Sequence, residues 1–266
     1  MVREITIGQY YDEESLIHRL DPRVKLVATL LYIVAIFVVD NIVRYAFAAL
    51  FLIICVMCSH VPFRYILKGL KPVMVILIIT VLFNMLLTPG EVLVRLGVIS
   101  ISKEGLRAGI TMAVRLMLLI TGSSLMTLTT TPNNLTDAME RLLKPLTKLK
   151  VPVHEIAMMM SIALRFIPIL LEETDIIMKA QMARGADFES GNIFKRAKAL
   201  VPILVPLFVS AFRRANDLAM AMEARCYRGG DGRTKMKPLK YDKRDYIAYA
   251  VIWLFMFGCI AVRIFM

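Results

Sequence analysis

The chain has 266 residues, 58% of them apolar, with a mean hydropathy of +0.65 and a net charge of +12. Soluble domains are about half apolar, so the excess excludes an ordinary soluble domain and points to lipid. The basic residues sit beside apolar runs and not on a hydrophilic domain, so membrane topology accounts for the charge and nucleic acid is set aside.

The first 23 residues are polar and include Glu4, Asp12, Glu13 and Glu14. That is unlike a secretory signal, so the first span is expected to act as its own insertion signal. Five spans are predicted, and several apolar segments carry about 17 to 25 residues with little or no charge, the length needed to cross roughly 30 Å of hydrocarbon. All are helices, because a lone strand leaves its backbone unsatisfied in lipid. The first covers 24–39, and Asp40-Asn41 turns the chain into the second, 42–58. A basic connector with Arg64, Lys68 and Lys71 precedes the third, which starts after Pro72 and ends near Thr88. Pro89-Gly90 opens a loop, the fourth span covers 105–129, and the fifth covers 246–265.

The stretch 131–245 is too basic to lie outside and too apolar for a simple soluble domain. Thr131-Pro132 reads as an N-cap followed by a proline at the first helical position. Leu135, Ala138, Met139, Leu142, Leu143 and Leu146 then recur at helical spacing, opposite Arg141, Lys144 and Lys148, which predicts an amphipathic helix. After a break at Lys150-Val151-Pro152, a longer helix runs to Arg184, kinked at Pro168. Gly185 falls where a left-handed cap is expected. A third helix, punctuated by Pro202 and Pro206, runs to Arg225 and is ended by the glycine run from Gly229. The apolar halves of these two helices, 156–171 and 199–212, read as a membrane-embedded hairpin-like pair whose distal ends emerge into the cytoplasm. A fully spanning pair is the structural alternative. With the amino terminus in the cytoplasm, 27 Lys and Arg fall inside and 5 outside, an orientation fixed by the positive-inside rule. The division expected is therefore 1–130, an N-terminal cytoplasmic segment and four spans; 131–240, a cytoplasm-directed helical region; and 241–266, a last span.

Catalytic chemistry has little to stand on. No G-x-x-x-x-G-K-[ST] loop cradles phosphate, His18, His60 and His154 are scattered, and no paired carboxylates lie within a span. Cys55-Val-Met-Cys58 matches C-x-x-C but lacks a second ligand pair. No metal or cofactor is expected. Arg115 is the one charge in the middle of a predicted span, open to a functional or a boundary reading. Gly105 and Gly109 form G-x-x-x-G, a pattern for close helix packing.

One echo stands out: A-Q-M-A-R-G at 180–185 and A-M-E-A-R-C at 221–226, with Arg184 and Arg225 lying 41 positions apart. Arginine offers a planar, permanently charged fork suited to carboxylates. One such residue would be a cation at a helix C-terminus, worth about 0.3–1 kcal/mol; two at matching ends suggest docking.

Ala183-Arg184-Gly185 and Ala224-Arg225-Cys226 resemble the paired signature of the transmembrane T component of energy-coupling factor (ECF) transporters. The segment H-R-L-D-P-R-V-K, 18–25, is similar to the one preceding that family's first span. Cys226 departs from the small residues common at its position. The resemblance implies an all-α integral membrane protein of the bacterial plasma membrane, with two crossed coupling helices ending in these Ala-Arg-x tips. It implies two cytoplasmic ABC-type ATPases docked on Arg184 and Arg225, and a separate S component that captures a vitamin or metal ion. The S component would be held on helix faces rich in Met158, Met159, Met160, Met178, Met182, Met220 and Met222, side chains that suit a surface accepting several partners. The rivals are a self-contained secondary transporter, which should show buried ionisable residues and repeated spans, and a scaffold without energy coupling.

Overall fold

The computed structural model describes residues 10–39, 42–89, 91–96, 99–186, 188, 193–230, 236 and 238–265. They divide into two units, which the chain joins between 138 and 139 and again between 236 and 238.

In the membrane-rich unit, α1 (Pro22–Val38) starts where the Asp21 side chain accepts the Arg23 N–H and Pro22 takes the first helical position. α2 spans Ile42–Ser59. α3 (Phe63–Leu70), one 3₁₀ turn (Lys71–Val73) and α4 (Met74–Leu87) follow without a break. The expected loop after Pro89 instead contains an antiparallel hairpin, β1 (Val92–Leu96) paired with β2 (Ile99–Ser102). α5 (Lys103–Thr129) is capped by Ser102, whose Oγ accepts the Gly105 N–H at 3.0 Å and donates to Thr88 O at 2.6 Å. That single hydroxyl ties the start of α5 to the end of α4. α9 (Lys243–Phe265) completes the unit.

The core gathers Tyr32, Ala35, Ile36, Tyr45, Leu118 and Phe255 from α1, α2, α5 and α9. Small residues on α5 permit this packing. A Cβ on Gly105 would lie 2.7 Å from Asn84 O of α4, and one on Gly122 would lie 2.3 Å from the Tyr32 ring. The G-x-x-x-G pattern therefore does what its spacing predicts: it lets α5 approach α4. Arg115 finds its place here as well. Its Nε donates to Tyr45 Oη (2.7 Å) and its NH2 to Val39 O (3.0 Å), while Tyr45 Oη donates to the same carbonyl at 2.8 Å. The cation thus caps the carboxyl end of α1.

The second unit holds the end of α6 (Pro132–Leu143), a 3₁₀ turn at Lys144–Leu149, α7 (Val153–Ala183) and α8 (Ile193–Ala224). Pro145, lacking an N–H, stops α6 earlier than its apolar spacing suggests. α7 runs through Pro168, and α8 through Pro202 and Pro206, without a break. Among the described residues, five helices are long and apolar enough to cross a membrane by length and composition: Phe63–Leu87, Lys103–Thr129, Val153–Ala183, Lys198–Ala224 and Lys243–Arg263. Three of these coincide with predicted spans. α1 and α2, with 17 and 18 residues, fall at the short end of what spans, whereas α7 and α8 exceed what their interrupted apolar runs suggested. The chain is a multi-pass helical membrane protein.

Candidate functional site: two matched arginine tips

α7 and α8 end in the same way. At the end of α7, Gly185 takes φ +86°, its N–H donates to Met182 O (3.0 Å) and the Ala186 N–H donates to Gln181 O (3.0 Å). At the end of α8, Cys226 takes φ +53°, its N–H donates to Glu223 O (2.8 Å) and the Tyr227 N–H donates to Met222 O (3.0 Å). Both are Schellman caps, a left-handed residue followed by paired returns to orphan carbonyls. Each places an arginine, Arg184 or Arg225, at the last position before the left-handed residue. Ala183, Arg184, Gly185, Ala224, Arg225 and Cys226 are all exposed, and nothing lies within 4 Å of where a Gly185 Cβ would be. The left-handed cap expected at Gly185 is present. At the second tip Cys226 adopts the same backbone, ending α8 before Gly229 is reached.

The two tips lie at opposite ends of one pair. Gln181 Nε2 reaches Pro202 O at 3.5 Å, and Arg214 NH2 pairs with Glu173 Oε2 at 3.0 Å. A groove of about 270 Å³ is lined by Ile162, Phe166 and Leu170 on one helix and Ala211, Leu218 and Met222 on the other. The helices are thus antiparallel. From the level of Arg184 to Arg225, α8 rises roughly 35–40 Å at 1.5 Å per residue. Gln181 belongs to the first half of the echo and has a second use. Pro206 has no N–H to give Pro202 O, and the Gln181 amide lies against that carbonyl. The second tip is braced from behind, where His154 Nδ1 meets Glu140 Oε1 at 2.8 Å and the imidazole lies where a Gly230 Cβ would be, 2.4 Å from Cδ2.

Little of this pair's apolar surface is covered. Met159, Met160, Met182 and Met220 are exposed, as are Leu204 and Phe208, while Met158, Met178 and Met222 are half-buried. Sequence reasoning missed a polar cluster in the other unit, at Asp21, Arg23, Lys25, Tyr241 and Asp245. Asp21 before Pro22 carried the residue types of a helix start, a signal the sequence reading did not use, and the partner of Asp21 lies 224 residues away. Among the described residues, no group of three or more His, Cys, Asp or Glu is placed to hold a metal ion.

Fold and site define a multi-pass helical membrane protein that carries an antiparallel helix pair with one exposed arginine capping each end. Residues 13–236 match the CbiQ family, described as cobalt transport protein. The energy-coupling factor transporter transmembrane protein EcfT of Clostridium kluyveri is 57% identical over 93% of both chains. That of Thermosediminibacter oceani is 53% identical over 98% of this chain and 99% of its own, and that of Bacillus subtilis 52% identical over 92% and 93%. The chain belongs to this family, the transmembrane T components of ECF transporters.

Proposed function

We propose that the chain couples ATP hydrolysis by two cytoplasmic ABC-type ATPases to a separate S component that delivers a vitamin or other micronutrient across the bacterial plasma membrane. The amino terminus is cytoplasmic, residues 131–240 form the coupling region, and 1–130 and 241–266 supply the membrane spans. Hydrolysis belongs to the ATPases; this chain is mechanical. Arg184 and Arg225, with their flanking Ala183, Gly185, Ala224 and Cys226, each enter one ATPase, and the crossed α7–α8 pair offers its uncovered Met-rich face to the S component. Movement of the ATPases displaces the tips, and the helix pair passes that displacement on as a shift between discrete packings.

The observation that carries this reading is the identity of the two caps. The same backbone motif holds an exposed arginine at each end of one antiparallel pair, which suits two homologous grooves a few tens of ångströms apart. The test is co-purification of both ATPases with Arg184→Glu, Arg225→Glu and the double variant. Each single change should weaken assembly and the double should abolish it; normal assembly of the double variant refutes the docking role. Labelling from either side of the membrane checks the geometry. Native Cys226, and a cysteine placed at Ala186 with Cys226→Ala, should both react with an impermeant thiol reagent only from the cytoplasmic side.

A further inference from the structure

We infer that Asp21, Arg23 and Lys25, at the start of α1, form a clasp that grips the end of α5 and the start of α9, the helix ends next to where the described chain leaves and re-enters the membrane unit, and so delivers movement to α5 and α9. The inference rests on the coupling role proposed above. Among the described residues the chain passes between the units twice, between 138 and 139 and between 236 and 238. The chain leaves the membrane unit within α6, which follows directly on the end of α5 at Thr129, and the helix that receives the chain again, α9, begins at Lys243. The clasp holds both ends from inside the membrane unit.

On the outgoing side, Lys25 is only 7% exposed, and its Nζ donates to Thr129 O at 2.7 Å and to His18 O at 3.0 Å. Thr129 O is among the last carbonyls of α5 and has no partner within the helix, so the ammonium supplies one. The Tyr11 N–H donates to Leu128 O at 2.9 Å and fastens the same turn. On the returning side, Asp245 is 2% exposed; its Oδ1 accepts the Asp21 N–H at 2.8 Å and its Oδ2 accepts the Asp242 N–H at 2.7 Å. Asp21 in turn takes Arg23 as a fork, Oδ1 from Nε at 3.0 Å and Oδ2 from NH2 at 2.7 Å. The Arg23 guanidinium lies 3.8 Å over the Tyr241 ring, which pins the last residues of the returning linker.

Two carboxylates and two cations therefore balance in a buried cluster with its hydrogen bonds directed at chain ends. A buried ionic cluster adds little net stability over apolar packing, and its established use is to fix a unique arrangement. Here that arrangement joins the termini of α5 and α9 to one rigid helix start. Without it, movement arriving at 138 or 238 would be absorbed by fraying at those termini before it reached the spans.

The test uses the full chain assembled with its two ATPases in lipid nanodiscs, with Asp245→Asn and Arg23→Lys as mild variants and Lys25→Met as a stronger one. Spin labels at Met112→Cys on α5 and Leu254→Cys on α9, with native cysteines replaced, report the distance between these helices with and without ATP. ATP should shift that distance in the parent. In the clasp variants the shift should fall at least threefold while both ATPases stay bound and hydrolysis stays within twofold. Hydrogen exchange of the uncomplexed chain should rise at least tenfold at 129–131 and 238–245. An unchanged shift overturns the inference, as does loss of assembly and hydrolysis in step with the shift, since the cluster would then only hold the fold. If the parent binds no ATPase, the coupling role fails, and the exchange measurement still decides whether the clasp secures both chain ends; unchanged exchange overturns it.

Discussion

Replacing Gly185 with valine should damage one tip without touching anything around it. Gly185 sits at φ +86° with nothing within 4 Å of its would-be Cβ, so the penalty is conformational and not steric contact. The left-handed region costs an L-residue roughly 1–2 kcal/mol, and a β-branched side chain is a true outlier there. The alternative is to release the cap and lose its two bonds, to Met182 O and Gln181 O, each worth about 0.5–1.5 kcal/mol net. Either route costs about 2 kcal/mol, a shift of roughly 30-fold toward a frayed tip. Alanine should cost about half as much. At the other tip Cys226 already carries a side chain at φ +53°, so Cys226→Gly should relieve up to about 1 kcal/mol, partly offset by the greater freedom of glycine when unfolded. The measurement pairs amide exchange at Gly185 and Ala186 in the isolated chain with affinity for the purified ATPase pair. Valine should speed exchange and weaken binding by up to the same factor, and Cys226→Gly should do neither. A valine variant that exchanges and binds as the parent does, or a Cys226→Gly variant that is equally damaged, would refute this role for the left-handed cap.

In the membrane unit, Gly122→Ala places a Cβ 2.3 Å from Tyr32 Cε1. Overpacking of that kind costs about 1–3 kcal/mol, so the thermal unfolding midpoint in detergent should fall; an unchanged midpoint contradicts the α1–α5 packing. Arg115→Met removes the donors to Val39 O and Tyr45 Oη. Charge-assisted bonds contribute about 1.5–3 kcal/mol each, but Tyr45 still bonds Val39 O, so a loss of about 2–4 kcal/mol is expected by the same assay, less for Arg115→Lys. His18 gives a pH dependence. Burial, then the nearby charge of Lys25, hold its imidazole below the usual 6.5. The unfolded chain therefore binds the proton more readily, and stability falls as pH drops through 6.5 and below. Acidification from pH 7.5 to 5.5 should expose segment 10–20 to protease in the parent but not in His18→Gln, and equal sensitivity of the two would count against the assignment.

The sequence was legible wherever local chemistry decides. Gly185 marks a left-handed cap and Gly105 with Gly109 a close crossing, and each is found as its residue type dictates. The Ala-Arg-x echo could be read as two tips because the end of a helix is a short-range property. What could not be read depends on distance along the chain. The Asp21–Asp245 bond joins residues 224 apart, and Arg115 was an ambiguous charge until Tyr45 and the end of α1 lay beside it. The β1–β2 hairpin did leave a signal, the alternation Ile99-Ser100-Ile101-Ser102, but it is four residues long beside helices of more than twenty. The helix through Pro202 and Pro206 was legible, but only the partner helix reveals the Gln181 amide beside the carbonyl that Pro206 leaves unpaired.

Whether α7 and α8 cross the bilayer turns on their register more than on their length. Gln181 lies opposite Pro202, Glu173 opposite Arg214, and Ile162 shares its groove with Met222. In this register the apolar half of α7, 156–171, runs beside the charged half of α8, with Arg213, Arg214, Asp217 and Glu223. The apolar half of α8, 199–212, runs beside Glu172, Glu173, Asp175 and Lys179 of α7. No slab cut across the pair is apolar on both helices. A spanning hairpin would hold several of these charges at mid-bilayer at about 2.5–3.5 kcal/mol each, and only Arg214 and Glu173 would neutralise one another among the ion pairs described. It would also put Arg184 and Arg225 on opposite sides of the membrane, where the two proposed ATPases could not both reach them. Laid along the membrane surface, the same pair keeps its charges in water, presents its uncovered methionines to a membrane partner, and leaves both arginines on one side. The offset of the two apolar halves is thus the physical support for a surface-lying pair, and labelling of a cysteine placed at Ala186 from the outer face would overturn it.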